Sequence, residues 1–216
     1  MLDPGDGPRL RSGAERGSNF VKFTFGSLFA GIGGFDLGFE RAGMECVWQV
    51  ENNPYAINIP TKHWPNVIRH DDIRTFPRIE WRKDAAIGTS DFECPDLICG
   101  GPPCQRTSNA AAIQGKKTGE TLWPEMFRVL SVMRPRFVVV EQPCGNKKWE
   151  GQVEADLAGA GWTVSRFQLE ACRFGAPHQR RRVFFVADAA QKRCDTGGWQ
   201  RDASAIEKIA WPLPPR

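Results

Sequence analysis

No two cysteines in this chain are spaced as Cys-X-X-Cys, and the cysteine count, seven, is odd. Both features argue against a disulfide framework or a zinc site and fit a reducing compartment. No apolar run approaches membrane-spanning length. The first nineteen residues are rich in Gly, Pro, Arg and Ser and lack an apolar core, so they do not read as a secretory signal. A large excess of one charge is missing too. Lys and Arg number 29 against 25 Asp and Glu, and a net charge of +4 is too weak to establish a nucleic-acid partner by itself. No internal repeat is visible. The rest is ordinary for one sizeable domain with or without tails: 216 residues, 41% hydrophobic and 25% charged. A core of that size buries roughly 70% of the unfolded surface, so neither metal nor disulfide is needed to hold it.

What is present is an alternation of strand and helix patterns. Strands are expected at Val21–Phe29, Met44–Val50, Val67–Ile68, Leu97–Cys99, Arg136–Val140, Trp162–Leu169 and Val183–Ala187. Helices are expected at Phe35–Arg41, Pro54–Trp64, Leu122–Met133 and Trp149–Gly159, with Pro60 kinking or ending the second. Pro77–Cys94 is polar and weakly patterned, and Thr107–Gly119 reads as a long Gly/Ala/Lys-rich loop. The alternation predicts an α/β fold with a doubly wound sheet. Residues 1–19 read as a disordered leader. From Asp188 the chain turns polar and ends in a proline-rich stretch, Trp211 to Arg216, of polyproline type.

Two segments carry candidate chemistry. Asp96 to Gln105 runs as an apolar strand, then two glycines, two prolines and Cys104. Stiff backbone there presents a thiol at the rim of a sheet, where a thiolate of lowered pKa is a strong nucleophile. Phe29 to Gly34 follows the first strand and precedes a helix, with Gly31, Gly33 and Gly34 allowing close approach of a ligand. Glu51 follows Gly31 by twenty residues at the end of the second strand, where a carboxylate in a Rossmann-like fold bonds ribose hydroxyls. A dinucleotide fingerprint would need glycine where Asp36 stands, and an acidic first turn suits a pyrophosphate poorly. A nucleoside cofactor without phosphates, such as S-adenosylmethionine, fits better. No metal is expected.

These stretches resemble the motifs of the DNA (cytosine-5)-methyltransferase family. Ser27 to Phe35 is similar to its first motif, Glu51 to its second and Asp72-Ile73 to its third. Gly100 to Gln105 resembles the catalytic motif, Val139 to Glu141 the sixth and Gly175 to Val183 the eighth. The resemblance runs from Val21 to Ala187 and implies a Rossmann-like methyltransferase domain over residues 20–187. Its fold would be a mostly parallel sheet with one antiparallel strand and helices on both faces. It implies S-adenosylmethionine as cofactor, with Phe29 near the adenine, Glu51 on the ribose, Asp72 and Ile73 at the adenine edge, and the glycines and Pro103 on the methionine side. It also implies a covalent adduct of Cys104 with C6 of a flipped cytosine. Glu141 would hold N3 and the 4-amino group, Arg180 the base's O2 and ring, and Arg182 nearby backbone or phosphate. The loop 106–120, with Lys116 and Lys117, would close over the base, or is an ordinary surface loop. Lys147, Lys148 and Arg173 are candidates for phosphate contact or for a solvated face.

The chain departs from the family pattern at Thr107, at Gln142-Pro143 where Asn-Val is usual, and at His178 where Gln is usual. Nothing after Asp188 resembles the family's target-recognition region or its last motif. Residues 188–216 are therefore expected to be a polar tail or the start of such a region, and the chain a fragment or a shortened form. The partners expected are DNA, and a restriction endonuclease or a second polypeptide supplying target recognition. The location expected is the cytoplasm of a bacterium or of a virus's host. The alternatives are a tRNA cytosine-5 methyltransferase, an inactive cofactor-binding or regulatory fragment and, more remotely, a nicotinamide oxidoreductase.

Overall fold

The computed structural model describes residues 22–77, 79–80, 89–90, 94–103 and 121–189. Seven strands form one sheet: β1 (Thr24–Leu28), β2 (Glu45–Val50), β3 (Ile68–His70), β6 (Leu97–Gly100), β7 (Phe137–Pro143), β8 (Thr163–Glu170) and β9 (Arg181–Asp188). Their order is β3-β2-β1-β6-β7-β9-β8, and β9 alone runs against its neighbours. The expected strands are all found, most of them within a few residues. The weakly patterned segment contains a short hairpin not anticipated from the sequence, β4 (Ile79–Glu80) with β5 (Thr89–Ser90). Strands of two residues are too short to show an alternation.

Helices α1 (Gly34–Arg41), α2 (Pro54–His63), α3 (Trp123–Met133) and α4 (Lys147–Gly159) connect the strands. The buried side chains of α3 recur at helical spacing: Trp123, Met126, Val129, Leu130 and Met133. With Trp149, Val153 and Leu157 of α4 they pack on one face of the sheet, against Ile98, Val138, Val140, Val183 and Phe185. Intervening strand residues point to the other face. There Phe25, Leu97, Cys99, Phe137 and Val139 meet Phe35 and Phe39 of α1. The central strands are buried on both faces, which explains their unbroken apolar runs.

Of the two outcomes expected at Pro60, an end to the helix is excluded, because α2 continues three residues past the proline to His63. Pro60 is the buried residue of the helix. The Arg69 guanidinium supplies donors at the end of the helix, to Pro60 O at 2.8 Å, Trp64 O at 2.5 Å and Val67 O at 3.1 Å. The start of α2 is set by sequence: the Asn53 side chain accepts the N–H groups of Tyr55 and Ala56, and Pro54 occupies the first turn.

From the central pair β1–β6 the connections run outward in opposite directions, to β2 and β3 on one side and to β7 on the other. That is the topological switch point of an open α/β sheet, where ligands bind beyond the carboxyl ends of the strands. The segments after β1, β2, β6 and β7 that carry the candidate residues all leave the sheet at this end.

Candidate active site

On the β1 side, three left-handed residues at alternate positions turn the chain from strand into helix: Phe29 (φ 55°), Gly31 (φ 56°) and Gly33 (φ 86°). Glu51 organises this loop from the end of β2. Its Oε2 accepts the N–H of Gly31 at 2.7 Å and its Oε1 the N–H of Asn53 at 2.8 Å. The glycines serve different ends. A Cβ on Gly33 would lie 2.5 Å from Cζ3 of Trp64, so this glycine makes room for an indole. At Gly34 a Cβ would meet nothing within 4 Å, and at Gly31 only Phe29 O at 3.9 Å. The N-terminus of α1 is thus open at Gly31 and Gly34 rather than packed interior.

Beneath it sits Asp36, fully buried in the first turn of α1. Its carboxylate accepts from Ser27 Oγ at 3.0 Å, Gln49 Nε2 at 2.7 Å and the Cys46 thiol at 3.5 Å. The helix N-terminus is already balanced by this buried anion, which suits a ligand without phosphates. After β3, the Asp72 carboxylate accepts the N–H of Arg74 at 3.0 Å and caps a 3-10 turn, Ile73–Thr75. The Ile73 side chain is only 4% exposed and belongs to the main core. Backbone at Ile73, rather than side chain, is what this turn offers a ligand.

The second half of the site lies after β6 and β7. A Cβ on Gly100 would lie 2.9 Å from Leu28 O, and one on Gly101 would lie 2.9 Å from Glu141 Oε2. Gly100 therefore lets the end of β6 lie close against Leu28 of β1, and Gly101 lets the turn toward Pro102 and Pro103 pass directly against Glu141. Gln142 is buried and donates from Nε2 to Pro102 O, tying the same turn to β7. The sequence carried no signal of this contact.

Arg182 Nε stands 2.6 Å from Glu141 Oε1. The register explains the pairing: Glu141 lies opposite Phe184 and Pro143 opposite Arg182, so Glu141 and Arg182 are diagonal neighbours on one face. Arg180 precedes β9 in a left-handed conformation, φ 34°. Arg182 is thus engaged with the same carboxylate that the resemblance assigns to the base. Burial pushes the Glu141 carboxyl above its ordinary pKa, and the charges of Arg182 and Arg180 oppose the shift without cancelling it.

Cys104 and the loop 106–120 lie outside the described residues. Among the described thiols, burial holds those of Cys46, Cys99 and Cys144 above the ordinary cysteine pKa, so they are poor nucleophiles. Lys147 is 3.3 Å from the buried Glu150, and Arg173 pairs with Glu170 at 3.7 Å. Both cations rim the same end of the sheet. No helix among the described residues is long and apolar enough to cross a membrane.

The profile of the family described as C-5 cytosine-specific DNA methylase matches residues 23–212. The Type II methyltransferase M.DdeI of Desulfomicrobium norvegicum is 32% identical over 168 residues, 74% of this chain and 39% of that protein. M.FnuDI of Fusobacterium nucleatum is 32% identical over 194 residues, covering 87% of this chain and 50% of that protein. The chain thus spans half the length or less of these relatives. A solved structure described as a DNA modification methyltransferase of an E. coli prophage aligns at TM-score 0.59 and 26% identity, over 77% of this chain and 47% of that one. S. pombe Dnmt2 methyltransferase shares the fold at TM-score 0.57 and 22% identity, over 82% of this chain and 51% of that one. The Rossmann-like fold is that of S-adenosylmethionine-dependent methyltransferases, and the chain belongs to the C-5 cytosine-specific DNA methylase family.

Proposed function

We propose that this chain carries the catalytic domain of a DNA (cytosine-5)-methyltransferase, spanning residues 20–187 with flanks at 1–19 and 188–216. The observation that carries the reading is the contact of the Gly101 turn with Glu141, itself paired with Arg182. Cys104 follows Gly101 by three residues, so chain connectivity keeps it within about 11 Å of that turn.

In this reading Phe29, Gly31, Gly33, Gly34 and Pro103 line the cofactor cradle. Glu51 accepts the ribose hydroxyls, and Asp72 with the backbone of Ile73 meets the adenine edge. S-adenosylmethionine, when bound, supplies an electrophilic methyl group. Cys104 adds as thiolate to C6 of a cytosine flipped out of the duplex. Glu141 holds N3 and the 4-amino group and hands N3 a proton as the C–S bond forms, which the raised carboxyl pKa favours. C5 becomes the nucleophile for the methyl. A base then removes the C5 proton, N3 returns its proton to Glu141, and the C–S bond breaks to release Cys104. Arg182 orients Glu141, and Arg180 reaches the base's O2. DNA is the partner in this reading. A restriction endonuclease, or a second polypeptide supplying target recognition, fits the Type II relatives.

The test is transfer of labelled methyl from S-adenosylmethionine to cytosine-containing duplex DNA and to tRNA in parallel. Label on DNA C5, lost in Cys104→Ser, is expected. Label on tRNA alone, or undiminished label in Cys104→Ser, overturns the reading.

A further inference from the structure

Arg128 on α3 crosses to the turn after β3. Its Nη2 donates to Ile73 O at 2.6 Å and to Phe76 O at 2.7 Å, while its Nε pairs with Glu125 at 2.8 Å. The turn it grips is short. Its own backbone bonds are Thr75 N–H to Asp72 O at 3.1 Å and Phe76 N–H to Ile73 O at 3.2 Å. Ile73 and Phe76 anchor it by burial, and the Asp72 cap on the Arg74 N–H and the Thr75 hydroxyl on Asp72 O hold its start, but none of these restrains the Ile73 and Phe76 carbonyls from the side of α3. A planar guanidinium held by Glu125 and bonded to both carbonyls does.

We propose that Arg128 is a positioning residue for nucleobase recognition. It sets the Asp72–Phe76 turn so that the Asp72 carboxylate and the Ile73 N–H point at the amino edge of the cofactor's adenine. The inference rests on the reading that Asp72 and Ile73 meet adenine. It adds the residue, on a different element and more than fifty positions away, that makes the turn selective. Lysine replaces it only in part, since one ammonium does not reach both carbonyls while paired with Glu125.

The test is calorimetric binding of S-adenosylhomocysteine and its 6-oxo analogue S-inosylhomocysteine to the intact chain and its variants. The analogue replaces the 6-amino donor and puts a proton on N1. Wild-type protein is expected to prefer the adenosyl form by about tenfold or more, the scale of one unsatisfied polar pair. Arg128→Met is expected to cut that preference by about fivefold, through weaker adenosyl binding with inosyl binding unchanged, and Arg128→Lys to cut it partly. A merely structural Arg128 would lower the melting temperature and weaken both ligands equally; an unchanged preference ratio in both variants overturns the proposal. Asp72→Ala separates the two layers. If it abolishes the preference while the Arg128 variants keep it, the adenine reading stands and the Arg128 role fails. If wild-type protein shows no preference, both fail together.

Discussion

Glu141, Gly101 and Gly33 show how single residues divide between packing and the candidate site. The Glu141 carboxyl is raised chiefly by burial, so the folded state binds its proton more tightly than the unfolded chain does. Its contribution to stability is then fully present below the unfolded pKa of about 4.3 and is lost as pH rises through the higher folded value. Glu141→Gln is therefore expected to gain thermal stability relative to wild type between pH 4 and pH 8. A difference in melting temperature that stays flat across that range would mean the carboxyl is not raised. At Gly101 an added Cβ meets the tip of a flexible carboxylate, whereas at Gly33 it meets an indole on backbone already at φ 86°. Gly33→Ala is expected to cost about 1–3 kcal/mol in urea unfolding. Gly101→Ala should leave the unfolding midpoint nearly unchanged yet lower methyl transfer by about a hundredfold, because it displaces Glu141. Equal stability losses in the two variants would contradict this division.

Among the elements, α2 is held at both ends by side chains outside it. Its first turn is capped by Asn53, and Asn53→Ala is expected to cost about 1 kcal/mol of stability. Its last turn contains a proline and is closed by Arg69, from beyond the helix. Arg69→Met should speed hydrogen exchange at the Trp64 amide, which donates to Pro60 O, and leave the amides of β6 and β7 protected. Uniform acceleration would place Arg69 in global stability instead. The proline was visible in the sequence, but the cation that closes the helix end was not, since Arg69 becomes relevant only when β3 lies beside the helix end. Elements with a strong local pattern, such as α3 and β7, were legible to within a residue or a few. The β4–β5 hairpin was not, because two-residue strands are defined by their pairing alone.

At the scale of the molecule, the two halves of the site meet because β1 and β6 are neighbours at the switch point of the sheet. A ligand held only by the folded arrangement stabilises it by mass action, about 2.7 kcal/mol at a hundredfold excess over its dissociation constant. S-adenosylhomocysteine is therefore expected to raise the melting temperature. NAD should not, since the first turn of α1 buries the Asp36 carboxylate where a pyrophosphate would need donors. A shift with NAD and none with S-adenosylhomocysteine would reverse the assignment of the cradle.

The amino-acid sequence alone determined the α/β class, the order of the strands along the chain and the motif residues, because each is written in local spacing: apolar runs, glycine turns, a cysteine after two prolines. Tertiary structure decided which of those residues act on one another. The antiparallel register of β9 assigned Arg182, rather than Arg180, to Glu141. The close approach at Gly101 placed the turn after β6 against that carboxylate, and the crossing of α3 brought Arg128 to the Asp72 turn. Such pairings join residues about forty to fifty-five positions apart, a separation at which spacing along the chain carries no geometric information until the sheet is formed.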